Sequence, residues 1–429
     1  MSSRLQCMLC TRTYPWDSPR SRCECGGLLD VLYPIEDLKP QAGQILRRGQ
    51  FSPTTPDPVG SSGVWSFAEL VYPVVPDGIV SRAEGNTPLL SHPSLNAWTG
   101  IETLWVKHEG ENPTGSFKDR GMTVAVTHAL HTGQRALACA STGNTAASLA
   151  AYGALAGVPV LVFVPAGKIA RGKLAQAVAY GAHVIEVNGD FDASLALVQK
   201  VCAELDIALL NSINPYRIEG QKSAAFEIAR AFDWSPPDWV VLPAGNLGNL
   251  SAYGKAFHEL HELGLIPRVP RLAGVQAKGA NPFYRSYREG FATRHRVKAE
   301  TVATAIRIGD PASYDRAVRA LEWTDGVIEE VTDEEILAAK ERVDRCGIGC
   351  EPASAASVAG VRKLRAKGVI RSGDSVVAVL TGHLLKDPDI VLTRWQVDTR
   401  AHVDASEESK AMREIEELLK SQADEVDHG

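Results

Sequence analysis

From about residue 100 onward, short apolar runs alternate with longer stretches in which apolar positions recur at helical spacing. ALACA (136–140), VPVLVFVP (158–165), HVIEV (183–187), IALLN (207–211), WVVLP (239–243) and SVVAVL (375–380) predict buried strands. Helices are predicted from Thr145 to Ala156, from Arg171, and through Leu195. This alternation predicts an α/β fold of βαβ units, with parallel sheets covered by helices on both faces. Ligands in such sheets sit beyond the carboxyl ends of the strands, so the loops that follow the strands are where chemistry is to be sought. Upstream the pattern changes. Residues 34–85 are rich in Pro, Gly and Ser, as in SPTTPDPVGSS, and read as irregular wrapping chain. No internal repeat is visible. The tail from Asp404 to Gly429 reads as a charged amphipathic helix, either solvated or at an oligomer edge.

Five loops stand out. ASTGNT (140–145) leaves a strand and opens a helix, so Ser141, Thr142, Gly143 and Asn144 sit where free backbone N–H groups attract a carboxylate; a plain N-cap is the alternative. PAGNLGN (243–249) also joins strand to helix. Its Gly245, Asn246, Leu247, Gly248 and Asn249 suit a phosphate cradle or an ordinary turn, and it matches neither the Walker nor the Rossmann spacing. TGH (381–383) ends a strand with the hydroxyl of Thr381. NSINPYR (211–217) offers Asn211, Ser212 and Arg217, whose planar fork binds two oxygens of a phosphate, unless it is a surface arginine after a proline turn. ENPTGSFKDRGM (111–122) sets Lys118 near a predicted helix start, where desolvation or the positive helix end disfavours the ammonium form. A solvated lysine is the bland alternative. Together the loops supply two anion cradles, a lysine and a strand-end hydroxyl, a set suited to a flat phosphorylated cofactor bound to an amino acid.

Composition adds exclusions. The 429 residues carry a formal charge of −6, so no basic surplus argues for nucleic acid. No apolar run reaches the length of a membrane span, and MSSRLQCMLC lacks the apolar core of a signal peptide, so a cytoplasmic location is expected. Four of the eight cysteines, Cys7, Cys10, Cys23 and Cys25, cluster near the amino terminus. In a reducing compartment such clustering favours a structural metal over disulfides. Four thiolates suit tetrahedral zinc, although the second pair is one residue tighter than the usual Cys-x2-Cys, and a metal-free knuckle is the alternative.

From about Gly63 to Asp389 the chain resembles the threonine synthases, among the fold type II pyridoxal-phosphate enzymes. The likeness rests on EGNTPL (84–89), ENPTGSFKDRGM, ASTGNTAASLAAYGA, KLAQAVAYGA, NSINPYRIEGQK, PAGNLGN, TAIRIGDP (304–311), EPASAAS (351–357) and TGHLLKDPD (381–389). It implies two α/β subdomains like those of the tryptophan synthase β subunit. They would span 101–400, with the smaller at about 135–215, preceded by a zinc-knuckle-like segment (1–33) and a wrapping segment (34–100) and followed by a tail (401–429). It further implies that Lys118 carries pyridoxal phosphate as a Schiff base, that Asn144 meets the ring oxygen, that 245–249 hold the phosphate, and that Thr381 faces the ring nitrogen. The implied substrate is O-phospho-L-homoserine, its carboxylate on Ser141, Thr142, Gly143 and Thr145, its phosphate on Asn211, Ser212 and Arg217. The products would be L-threonine and phosphate, and the protein a homodimer. Two positions depart from the family. Leu384 stands where Gly is usual, which implies a reshaped loop or a bulky side chain in the pocket, and Ser66-Phe67 replaces Arg-Tyr. Two other readings stay open: a related elimination, replacement or dehydratase reaction on Ser, Thr or O-phosphoserine, and a non-catalytic protein that keeps the old site.

Overall fold

The computed structural model describes residues 3–47, 58–74, 77–166, 171–188, 191–394, 410 and 412–417. Its strands are β1 (Arg4–Cys7), β2 (Thr13–Pro15), β3 (Leu29–Leu32), β4 (Leu89–Leu90), β5 (Leu104–His108), β6 (Leu137–Ala140), β7 (Val160–Pro165), β8 (His183–Val187), β9 (Ala208–Leu209), β10 (Trp239–Pro243), β11 (Arg271–Ala277), β12 (Val327–Val331) and β13 (Val376–Leu380). Every residue of β6, β10 and β13 is buried, as expected for strands with helices on both faces. IALLN is strand only at Ala208–Leu209, because Asn211 turns its amide back onto Ala140.

Three sheets form among the described residues. The larger runs β12-β11-β10-β13-β5-β4, parallel except for the β4–β5 edge pair. The smaller, β8-β7-β6-β9, is wholly parallel. The third, β2-β1-β3, is antiparallel and belongs to the cysteine-rich segment. Residues 34–85 hold several short helices, among them Ile35–Leu38 and Ala68–Val71, rather than wholly irregular chain.

These sheets lie in one compact unit, Met1–Lys386; a second comprises Asp387–Gly429. In the second, Pro388–Arg394 is helical, as are residues 410 and 412–417; the rest of the predicted tail helix lies outside the described residues.

Two glycines set the helix packing that matters most. A Cβ on Gly220 would lie 1.9 Å from the Arg120 carbonyl oxygen, and one on Gly121 would lie 2.7 Å from the Arg217 oxygen. The Lys118–His131 and Pro215–Ala231 helices therefore cross backbone to backbone. Arg120 is locked at this crossing by buried ion pairs to Glu109 (2.5 Å) and Glu227 (2.7 Å), and Glu227 also takes Lys107 of β5 (2.6 Å). Removing one member of such a cluster would strand a buried charge, so it specifies one arrangement.

The cysteine-rich segment is docked on the Pro215–Ala231, Gly248–Glu262 and Tyr314–Thr324 helices. Asp30 of β3 accepts from Lys255 (2.9 Å) and Arg319 (2.6 Å), and Tyr216 donates its hydroxyl to the Trp16 carbonyl.

Candidate active site

Lys118 is the first residue of its helix, and no side chain caps the turn. Asp119 instead ties the turn to the preceding loop, accepting from the Thr114 N–H and hydroxyl (2.7 Å each) and from Ser148 (2.6 Å). Burial raises the Asp119 carboxyl to about 6. The Lys118 side chain is half-buried, with Nζ 4.2 Å from the Phe117 ring centroid. Desolvation, with the Arg217 charge adding and Glu351 opposing, lowers its pKa to about 7. A large fraction is then the neutral, nucleophilic amine near neutral pH.

The strand-end loops meet here. Phe117 N–H donates to the Thr381 carbonyl (3.0 Å) and His383 N–H to the Gly115 carbonyl (2.9 Å), so the loop after β13 pairs with the chain just before Lys118. Thr381 is buried, its Oγ1 2.9 Å from Ser354 Oγ and 3.4 Å from Glu351. Asn144 opens the Asn144–Ala156 helix and donates Nδ2 to Glu351 (3.1 Å). Glu351 thus bridges two residues the sequence singled out, although its own role was not foreseen. Its signal was present: an acid immediately before a proline that starts a helix.

Ser141 Oγ accepts from Gly143 N–H (3.2 Å), and residues 141–145 are all half-buried. A Cβ on Gly143 would meet nothing within 4 Å, so this backbone fronts open space. Gly143 and Asn144 line a cleft of about 500 Å³ with Asn112, Thr114, Gly115 and Lys386 among its other walls.

The second anion candidate is more enclosed. Asn211 spends both ends of its amide on Ala140 (3.0 Å each), which fastens 211–217 to the end of β6. Ser212 accepts from Asn246 Nδ2 (2.6 Å), and Asn246 Oδ1 accepts from Ala312 N–H (2.6 Å), joining the segment to the 245–249 turn. Arg217 lies in the first turn of its helix and is 1% exposed, not the surface arginine of the alternative reading. Nη1 donates to the Leu210 carbonyl (3.2 Å), while Nε and Nη2 are buried without partners. Burial lowers its pKa to about 10. A buried fork with two unspent donors suits an anion.

At 245–249, Leu247 takes a left-handed φ of 64° and starts the Gly248–Glu262 helix with no side-chain cap. Gly245 is required by packing, since a Cβ there would lie 2.8 Å from Ile306 Cα. Gly248 faces more room, with Ser313 Oγ 3.8 Å from its Cβ position. The buried Ser313 Oγ and Asn249 Nδ2 have no partner. An uncapped helix start flanked by orphaned donors fits a phosphate.

Leu384 is half-buried with a non-positive φ. It lies against Gly349, whose added Cβ would be 3.3 Å from Leu384 Cβ, and is not among the residues lining the cleft.

The four clustered cysteines are free, and their sulfurs lie within 4.8 Å of one another. Cys7 to Cys25 and Cys10 to Cys23 are 3.5 Å apart, and Cys10 to Cys25 is 3.4 Å. Four ligands at about 2.3 Å from a tetrahedral zinc would be separated by roughly 3.8 Å, so a small expansion would seat the ion.

A lysine poised as a neutral amine, a strand-end hydroxyl and an uncapped helix start at the ends of parallel strands define the class of pyridoxal-phosphate enzymes. Residues 80–382 match the family described as pyridoxal-phosphate dependent enzyme. The chain is 48% identical to threonine synthase of Methanosarcina acetivorans, covering 94% of this chain and 98% of that one. It is 44% identical to the threonine synthase of Methanocaldococcus jannaschii, over 96% and 99% of the two chains. The solved structure of a threonine deaminase from T.th. superposes with a TM-score of 0.60 at 27% identity, covering 70% of this chain and 92% of that one. The chain belongs to the threonine synthase family of pyridoxal-phosphate enzymes.

Proposed function

We propose that the chain converts O-phospho-L-homoserine and water to L-threonine and inorganic phosphate, with pyridoxal phosphate held by Lys118, Asn144, the 245–249 turn and Thr381. The observation that carries the substrate choice is the buried Arg217, whose Nε and Nη2 have no protein partner. A substrate without a phosphate would leave that guanidinium unpaired.

When bound, the cofactor supplies an aldehyde for the substrate amine and an electron sink for the carbon next to it. The chain's own residues do the rest. The backbone of 141–145 holds the substrate carboxylate, and Ser212 and Arg217 hold its phosphate, with Asn211 bracing that segment. Lys118 Nζ takes the α-proton and later a β-proton, as its lowered pKa allows. Thr381 offers the ring nitrogen a neutral hydroxyl, kept in place by Ser354. Cys7, Cys10, Cys23 and Cys25 hold a structural zinc that steadies the segment carrying Trp16 and Asp30. A homodimer and a cytoplasmic location complete the reading, to be checked by light scattering and cell fractionation.

The test is an assay of the holoenzyme on O-phosphohomoserine and on O-phosphoserine. Equal release of phosphate and threonine from the first supports the proposal. Turnover of O-phosphoserine alone would instead assign a β-elimination or replacement reaction.

A further inference from the structure

The cleft in front of Gly143 and Asn144 contains one strongly basic side chain among its lining residues, Lys386. Its stem crosses Gly115, whose Cβ position lies 3.0 Å from Lys386 Cε. Gly115 stands only a few positions before Lys118 in the chain. Lys386 Nζ donates to the Gln176 side-chain carbonyl, and Gln176 in turn donates Nε2 to the Thr114 carbonyl (3.3 Å). Gln176 belongs to the Arg171–Ala179 helix, between strands β7 and β8 of the smaller sheet, whereas Lys386 follows β13 of the larger. The contact therefore spans the cleft mouth. Lys386 is half-buried and has no carboxylate within ion-pair distance among the described residues; Asp119 and Glu351 act on it only from further away. Burial lowers its pKa, as expected of a cation without a counter-ion. Burial, with His108 and Lys386 adding and Glu111 opposing, lowers the pKa of the nearby His383.

We propose that Lys386 is a further substrate-binding residue, which exchanges the neutral Gln176 amide for the carboxylate of the amino-acid substrate held at 141–145. The proposal rests on the functional reading above. It divides the two anionic groups of the substrate between two cations: Arg217 for the phosphate and Lys386 for the carboxylate. A charged acceptor forms a stronger hydrogen bond with an ammonium than an amide oxygen does, so binding would release Lys386 from Gln176 and change the bridge across the cleft mouth.

The experiment compares wild-type holoenzyme with Lys386→Met and Lys386→Arg. L-threonine, which has a carboxylate and no phosphate, and inorganic phosphate are each titrated by calorimetry, beside KM for O-phosphohomoserine. Lys386→Met is expected to weaken threonine binding and raise KM about tenfold to a hundredfold. Phosphate affinity should be unchanged, and Lys386→Arg should recover most of the loss. Unaltered threonine affinity in Lys386→Met would overturn the assignment, and so would equal loss of threonine and phosphate binding, which marks general collapse of the cleft. Failure of the functional reading looks different: the wild type would release no phosphate from O-phosphohomoserine, while the threonine titration would still decide the role of Lys386.

Discussion

Replacing Arg217 by Met should damage catalysis and stabilise the fold. In the free protein, Nε and Nη2 are buried and unpaired, at a cost of about 1–3 kcal/mol each. The substitution removes both unpaired donors but strands the buried Leu210 carbonyl that Nη1 serves, at a cost of about 1–3 kcal/mol. Methionine fills much of the volume of the arginine stem, so little cavity is left. At mid-range the net stabilisation is about 2 kcal/mol, which at roughly 2 °C per kcal/mol raises Tm by a few degrees. With substrate phosphate in place, the same two donors make charge-assisted bonds of about 1.5–3 kcal/mol each, so kcat/KM should fall by roughly a hundredfold to ten-thousandfold. Melting is followed for the holoenzyme in phosphate-free buffer, and activity by phosphate release. Added phosphate should raise the wild-type Tm by mass action and leave the variant unmoved. A lower Tm together with kcat/KM within tenfold of wild type would refute the reasoning, because Arg217 would then be a structural residue.

Three other outcomes are expected. With a Lys118 pKa near 7, apoenzyme should recombine with pyridoxal phosphate at a rate that rises with pH through about 7 and then levels, because only the neutral amine attacks; stopped-flow absorbance would expose a rise persisting to pH 10. Gly220→Ala must part the two crossing helices, since its Cβ would meet the Arg120 oxygen at 1.9 Å; a loss of about 3 kcal/mol is expected, and a Tm matching wild type would contradict the backbone contact. Metal analysis should find one zinc per chain, absent from Cys10→Ser/Cys25→Ser, and a strong chelator should lower Tm by roughly 5 °C or more; a metal-free protein of unchanged Tm would show a disused knuckle.

Much of the fold was legible along the chain where burial and hydrophobicity agree. HVIEV and WVVLP are strands at the predicted residues, and the run from 375 is strand from Val376. β5 escaped notice because LWVKH ends in two polar residues. Lys107 and His108 are nevertheless buried, Lys107 by pairing with Glu227, 120 positions away in sequence. β12 reads VIEEV, and its Glu329 is buried with Lys367 as partner. A polar residue whose burial depends on a distant partner leaves no local hydrophobic signal.

The same division holds in the candidate site. Residue types at strand ends carry their own local chemistry: a lysine at a helix start, glycine and asparagine in a turn, a hydroxyl after β13. These were fixed by the order of amino acids, because strand, turn and cap preferences act over a few neighbouring residues. Which groups remain unpaired was not. Arg217 keeps two unpartnered donor nitrogens on a helix that crosses its neighbour on two glycines, Asn211 is fastened at both ends of its amide to Ala140, and Glu351 stands between Asn144 and Thr381 because segments distant in the chain meet there. Desolvation and charge pairing depend on what fills the surrounding space, and only the packed chain determines that.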